Sequence, residues 1–194
     1  HGLHGMLSDV TYPSLSGTSV FTDFVELPSQ LYEHWLTVPA VLKTYAVHYK
    51  TKEPISDALM AKMKAAQTFN QGFAKSEFLG SAFVDMDLHT RTADAGKPDI
   101  DAAEKACLAR IGMPSEIAMR HRPTHFQHIT GGYAAGYYSY LWSEVLDADA
   151  FRAFKETGNA FDPVTAAKLK AAIYSAGGKD EPENAYTAFR GRLP

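Results

Sequence analysis

Two histidines three residues apart, His1 and His4, open the chain, and a glutamate, Glu26, follows 25 residues after the first. Imidazole nitrogen and carboxylate oxygen are donor types that bind zinc, which in hydrolases keeps three protein ligands and leaves a fourth position for water. Residues i and i+3 of a helix share a face, so both rings can point to one side. Alone this pairing is weak, because histidines at helical spacing more often pack or face solvent. Its context strengthens it. A helix end is followed by a Ser/Thr/Gly/Pro-rich loop over residues 9–22, then by a helix carrying Glu26 in DFVELPSQ. Histidine on one helix and a carboxylate on the next is the layout a helical metallopeptidase needs. Asp23, Ser29 and Gln30 lie three before, three after and four after Glu26. Any of them can share its helix face and orient the carboxylate; capping or solvated roles are equally open.

A second constellation spans HITGGYAAGYYSYLWSEV, residues 128–145. Tyr133, Tyr137 and Tyr140 are spaced i, i+4, i+7 and predict one face of a helix over residues 133–147. An aromatic core stripe is the ordinary reading of such spacing. Against it stand His128 just upstream and Gly131-Gly132, which permits unusual backbone and close approach to a ligand. Three tyrosine hydroxyls on one face also ask for polar partners, as a cleft would supply.

The segments HGLHGMLSDVTYPSLSGTSV and DFVELPSQLYEHW resemble the thimet oligopeptidase/peptidyl-dipeptidase family of zinc peptidases. In that family a His-Glu-x-x-His motif ends at the histidine that His1 matches, and a third ligand, a glutamate, stands where Glu26 stands. The resemblance implies Zn2+ held in part by His1 and Glu26, with His4 a packing or supporting residue. It also implies that the motif's first histidine and its glutamate, the general base of such enzymes, would precede residue 1. Residues 1–194 are then expected to be the C-terminal portion of a catalytic domain, truncated inside the motif, holding half a metal site and inactive alone. Phe21-Thr22 departs from the family's more common Pro-Arg. The second constellation resembles the same family. By that resemblance His128 and Tyr133 contact the substrate backbone, and Tyr140 donates to the oxyanion, an effect typically worth about 2.7–4 kcal/mol per donor. Tyr137 helps bind the peptide, and the Gly131-Gly132 loop closes over it. RHRPTHFQHI resembles bacterial peptidyl-dipeptidases more than animal endopeptidases. Arg120, Arg122 and His125 are available for a substrate carboxylate, solvated or structural roles being open as well.

The elements that must position these groups read as helices throughout. Beyond the first two turns, helical pattern runs from Asp23 to Lys50, with Pro28 fitting a first turn and Pro39 a kink or break. Further helices are expected at 57–76, 77–91, 100–110, 147–157, 163–176 and 181–189, with Ser56 or Asp57 as an N-cap. The fold class is all-α, the C-terminal part of a helical catalytic domain, read as one unit without a linker. The 194 residues suffice for a sizeable core, and 45% apolar with 21% charged residues is ordinary for a globular protein. A net charge of −3 without a basic run excludes a nucleic-acid partner. No apolar run approaches a membrane span, and no signal peptide is visible. The single cysteine, Cys107, reads as a small buried hydrophobe. The expected partners are short peptides and the N-terminal part of the same peptidase; the expected compartment is the cytoplasm, or the periplasm. The expected function is zinc-dependent hydrolysis of short peptides by the intact protein. The alternative is a non-catalytic helical module that kept the peptide-contacting wall.

Overall fold

Prolines and capping side chains set where many helices begin. Pro39, Pro163 and Pro182 occupy the first turns of α3 (Pro39–Tyr45), α8 (Pro163–Leu169) and α9 (Pro182–Arg190), where a missing N–H costs nothing. Ser56 accepts the amide of Leu59 at 3.2 Å ahead of α4 (Asp57–Ala66). The Asp99 carboxylate accepts that of Ala102 at 3.0 Å to start α6 (Ile100–Arg110). The remaining helices are α1 (Gly2–Leu7), α2 (Thr22–Leu31), α5 (Gln71–His89) and α7 (Ser139–Glu156). The computed structural model describes residues 1–194 and contains no strand, only an isolated bridge between Val47 and Pro54. The all-α expectation holds.

The chain divides into two compact units: residues 1–60 with 139–194, and residues 61–138. In the first unit α2 packs along α7, and α9 closes the core. Phe24, Leu27 and Leu31 meet Leu146, Ala150, Phe151 and Phe154, with Tyr174, Tyr186 and Phe189 completing the cluster. Each buried Leu or Phe of this cluster contributes about 1.5–3 kcal/mol from burial. Trp35 packs edge-on against Phe151 and Phe154, and its indole donates to the Ala160 carbonyl at 2.8 Å. The second unit is organised on α5 and α6, with Val84, Cys107 and Met119 at its centre. Cys107 is buried as expected, and burial pushes its thiol up to about 11. Gly80 permits the close approach of this packing. A Cβ there would stand 2.9 Å from the Met113 sulfur and 3.1 Å from the Met119 Cβ.

Several boundaries differ from expectation; the break expected between residues 76 and 77 falls at 67–70, between α4 and α5. Pro28 lies inside α2, past its first turn. Its carbonyl accepts the Tyr174 hydroxyl at 2.9 Å, so core packing outweighs the local preference of proline. The separate helix expected at 147–157 is the second half of α7. The helix expected from 133 begins only at Ser139, for a reason given below.

Candidate active site

His1 and Glu26 converge. The imidazole Nε2 lies 3.2 Å from a Glu26 carboxylate oxygen, although 25 residues of chain separate them. The intervening loop folds back to arrange this. The Ser8 hydroxyl donates to the His4 carbonyl at 2.8 Å and accepts the Gly17 amide at 2.7 Å. Gly17, at φ +57°, lies so near α1 that a Cβ would stand 2.9 Å from the Gly5 Cα. Farther along, the Asp9 amide donates to the Ser175 carbonyl at 3.0 Å, and the Gly178 amide to that of Leu15 at 2.8 Å. The loop is thereby tied both to α1 and to the segment after α8.

Glu26 is 4% exposed. A carboxylate so far out of water needs partners, and the Ser29 hydroxyl donates to it. Gln30, one residue further along α2, donates to the Tyr140 carbonyl at 3.2 Å, tying α2 to the first turn of α7. Of the three candidate supports, Ser29 therefore holds Glu26 directly and Gln30 the Tyr140 backbone. Asp23 accepts the Ser143 hydroxyl on its carbonyl at 3.4 Å. His4 is fully buried, its ring edge-on to Tyr174 at 5.9 Å, and neither ring nitrogen has a hydrogen-bond partner. Burial holds its pKa below the ordinary value.

The His1–Glu26 pair fits a zinc ion in donor chemistry and in spacing. Two ligands of one tetrahedral zinc, bonded at ~2.0–2.1 Å, stand about 3.3 Å apart. No third histidine, cysteine, aspartate or glutamate of this chain joins them in a group that could hold a metal. The chain presents two such donors, not a complete set.

Residues 120–138 lie in the second unit. His128 is half-buried, its ring 5.8 Å from that of Tyr133 and 5.2 Å from that of Tyr137. Tyr137 is 3% exposed and stacks on Phe78 at 4.6 Å, with Phe126 edge-on. Its ring is packing, in an aromatic nest beside His128. Tyr133 is half-buried, and Gly131 and Gly132 are exposed. Arg122 donates to Glu104 at 2.9 Å and to Asp101 at 3.4 Å. The His125 Nε2 accepts the Arg122 amide at 3.3 Å, and Arg120 faces Glu77 at 3.6 Å. Both arginines thus already have carboxylate partners within the chain. Tyr140 belongs to the first unit, half-buried at the start of α7.

The three tyrosines do not share a helix face. Residues 131–138 form a run of turns, and Ala135 is left-handed at φ +54°. The Asp85 carboxylate, on α5, takes the amide protons of Ala135 at 2.9 Å and Tyr137 at 3.0 Å. In a helix those amides would bond to carbonyls four residues back. Asp85 was not singled out from the sequence, nor was His121, whose ring stacks on Phe126 at 5.1 Å beside His128. The signal for Asp85 is a carboxylate in the apolar run FLGSAFVDMDL, seven residues after Phe78.

A histidine meeting a buried glutamate in a helical fold is a donor pair of the kind that metallohydrolases use. This chain belongs to peptidase family M3, whose model matches residues 1–194. It is 39% identical over 196 residues to the dipeptidyl carboxypeptidase of Escherichia coli (strain K12), which covers all of this chain and 29% of that protein. It is 40% identical over 199 residues to the oligopeptidase A of the same organism, with the same coverage. A probable cytosolic oligopeptidase A of Arabidopsis thaliana is 35% identical over 201 residues, covering all of this chain and 28% of its own. The chain thus spans less than a third of the length of the curated relatives it matches. None of its helices is long and apolar enough to cross a membrane.

Proposed function

We propose that this chain supplies half of the zinc site and the peptide-contacting residues of an enzyme that hydrolyses short peptides. The observation that carries the reading is the 3.2 Å approach of His1 to the buried Glu26, in a chain matched end to end by a peptidase family. Zinc held there would polarise the scissile carbonyl and lower the pKa of a water. His1 and Glu26 would be two of its ligands, with Ser29 keeping the carboxylate aimed. His128 and Tyr133 bind the peptide backbone. Tyr140 donates its hydroxyl proton in a hydrogen bond to the oxygen on which charge develops. The Gly131-Gly132 turn gives the backbone freedom to close over a peptide, with His125 and Tyr137 packing around it. Arg122 binds a substrate carboxylate only if it exchanges it for Glu104. The third ligand and the general base come from a His-Glu-x-x segment placed ahead of His1.

The test compares this chain with a version extended upstream by its own coding sequence. The chain alone is expected to bind zinc weakly and to leave short peptides uncut. The extended protein is expected to hold one zinc and to cleave them, releasing dipeptides or internal fragments. An extended protein that holds zinc tightly and cleaves no short peptide defeats the enzyme reading. If that protein still binds peptides, the non-catalytic peptide-binding module takes its place.

A further inference from the structure

Asp85 is 1% exposed, yet its carboxylate accepts two backbone amides and lies within ion-pair distance of His89. One oxygen accepts the Ala135 amide at 2.9 Å and faces the His89 Nδ1 at 2.9 Å; the other accepts the Tyr137 amide at 3.0 Å. His89 also reaches back to the Asp85 carbonyl at 2.9 Å. The rest of one helix face serves the same segment. Phe78 stacks on Tyr137. The Ser81 hydroxyl accepts the His121 amide at 2.8 Å and donates to its carbonyl at 3.3 Å. Phe78, Ser81 and Asp85 fall at i, i+3, i+7, one side of α5. What they hold is a turn that the sequence alone would not keep. Ala135 sits at φ +54°, a region a non-glycine residue occupies only where its surroundings impose it. Within the turn the Tyr133 amide donates to the His128 carbonyl at 3.2 Å, and the Gly136 amide to that of Tyr133 at 2.9 Å. The geometry that fixes Ala135 therefore also fixes how Tyr133 leaves the backbone beside His128.

We infer that Asp85, oriented by His89, is a positioning residue that imposes the left-handed turn at Ala135 and so places Tyr133 and His128 for peptide binding. Its consequence for catalysis rests on the function proposed above; its effect on the turn does not. Two measurements separate them. Amide exchange on this chain is expected to show Ala135 and Tyr137 protected. Asp85→Asn puts an NH2 donor against one of the two amides, and protection at both should fall about tenfold or more, with the α5 amides near Gly80 little changed. In the upstream-extended protein the same substitution should lower kcat/KM by about 10²-fold at unchanged zinc content. Adding Ala135→Gly should recover a large part of that loss, because glycine takes the left-handed turn without the carboxylate; a role in general stability would show no such rescue. If Asp85→Asn fails to fold, His89→Leu carries the test with a smaller loss, since it removes only the His89 contact and leaves both amides bonded to the carboxylate. The inference is overturned if Ala135 and Tyr137 keep their protection in the variant. It is equally overturned if the loosened loop cleaves peptides as the parent does. A parent that cleaves nothing sinks the peptidase reading, and the exchange result still decides what Asp85 does to the turn.

Discussion

Ser29 and His4 act through different physics, Ser29 on the proposed metal half-site and His4 on the stability of the fold. Ser29 donates to the carboxylate of Glu26, which is otherwise sheltered from water. Groups that orient a ligand in this way typically account for 10- to 100-fold in metal affinity. Ser29→Ala in the upstream-extended protein should therefore weaken zinc by roughly that factor, read by competition with a chromophoric chelator, while the helical circular dichroism stays put. Equal affinities would remove Ser29 from the site. His4 acts on stability. Its imidazole is wholly buried, and burial lowers its pKa in the folded chain below the ordinary 6.5. As pH falls, the unfolded state takes up this proton first. The stability is thus fully present above about pH 6.5 and declines below it, by up to about 1.4 kcal/mol per pH unit, until the lowered folded value is reached. Urea unfolding of this chain between pH 7.5 and 5 should show the decline, and His4→Leu should flatten it. Identical slopes in the two proteins would mean that His4 titrates as a solvated residue.

At the scale of elements, α9 is held from both sides. Ala185, Tyr186 and Phe189 enter the core. On the rim, Arg190 bridges Asp149 at 3.0 Å and Glu156 at 2.7 Å, and the Tyr186 hydroxyl donates to Asp149 at 2.9 Å. Burial alone would raise the Asp149 pKa, but the hydrogen bonds from Arg190, Tyr186 and Arg192 outweigh it and hold the carboxyl low. Phe189→Ala should cost about 3–5 kcal/mol, the range for deleting a buried aromatic ring. A midpoint shift under 1 kcal/mol in denaturant titration would show α9 to be an accessory to the core. The sequence revealed α9 because its apolar residues recur at helical spacing and Pro182 marks its start. The His1–Glu26 pair was legible through the family resemblance of the segments around it, which sets the spacing from histidine to glutamate. The sequence did not reveal the turn over 131–138. There the tyrosine spacing is helical, and only a carboxylate some fifty residues earlier takes the amides away. Nor did it reveal Pro28 within α2, where contacts made by Tyr174 from the far end of the chain outweigh the local rule.

Taken whole, the chain carries apolar side chains that its own core does not cover. In the first unit Leu36, Tyr45, Val47 and Tyr49 are exposed, all between the end of α2 and the start of α4. In the second, Phe73, Leu79 and Phe83 are exposed on α5. At about 100° per residue these three fall within one sector roughly 120° wide. Monomeric proteins rarely leave such stripes in water, and water favours any contact that covers them, a second copy included. The isolated chain should therefore associate as its concentration rises, with a weight-average mass in sedimentation velocity that climbs above 21.3 kDa. Phe73→Ser with Phe83→Ser should lower the association without unfolding the unit, since both rings are already about 40% exposed. The relatives are more than three times as long as this chain, and in the upstream-extended protein of the proposed test the added polypeptide would cover the stripe. It should sediment as a single species under the same conditions. A chain that stays monomeric at all concentrations would mean that these rings are tolerated in water, and the apolar stripe would then have no bearing on assembly.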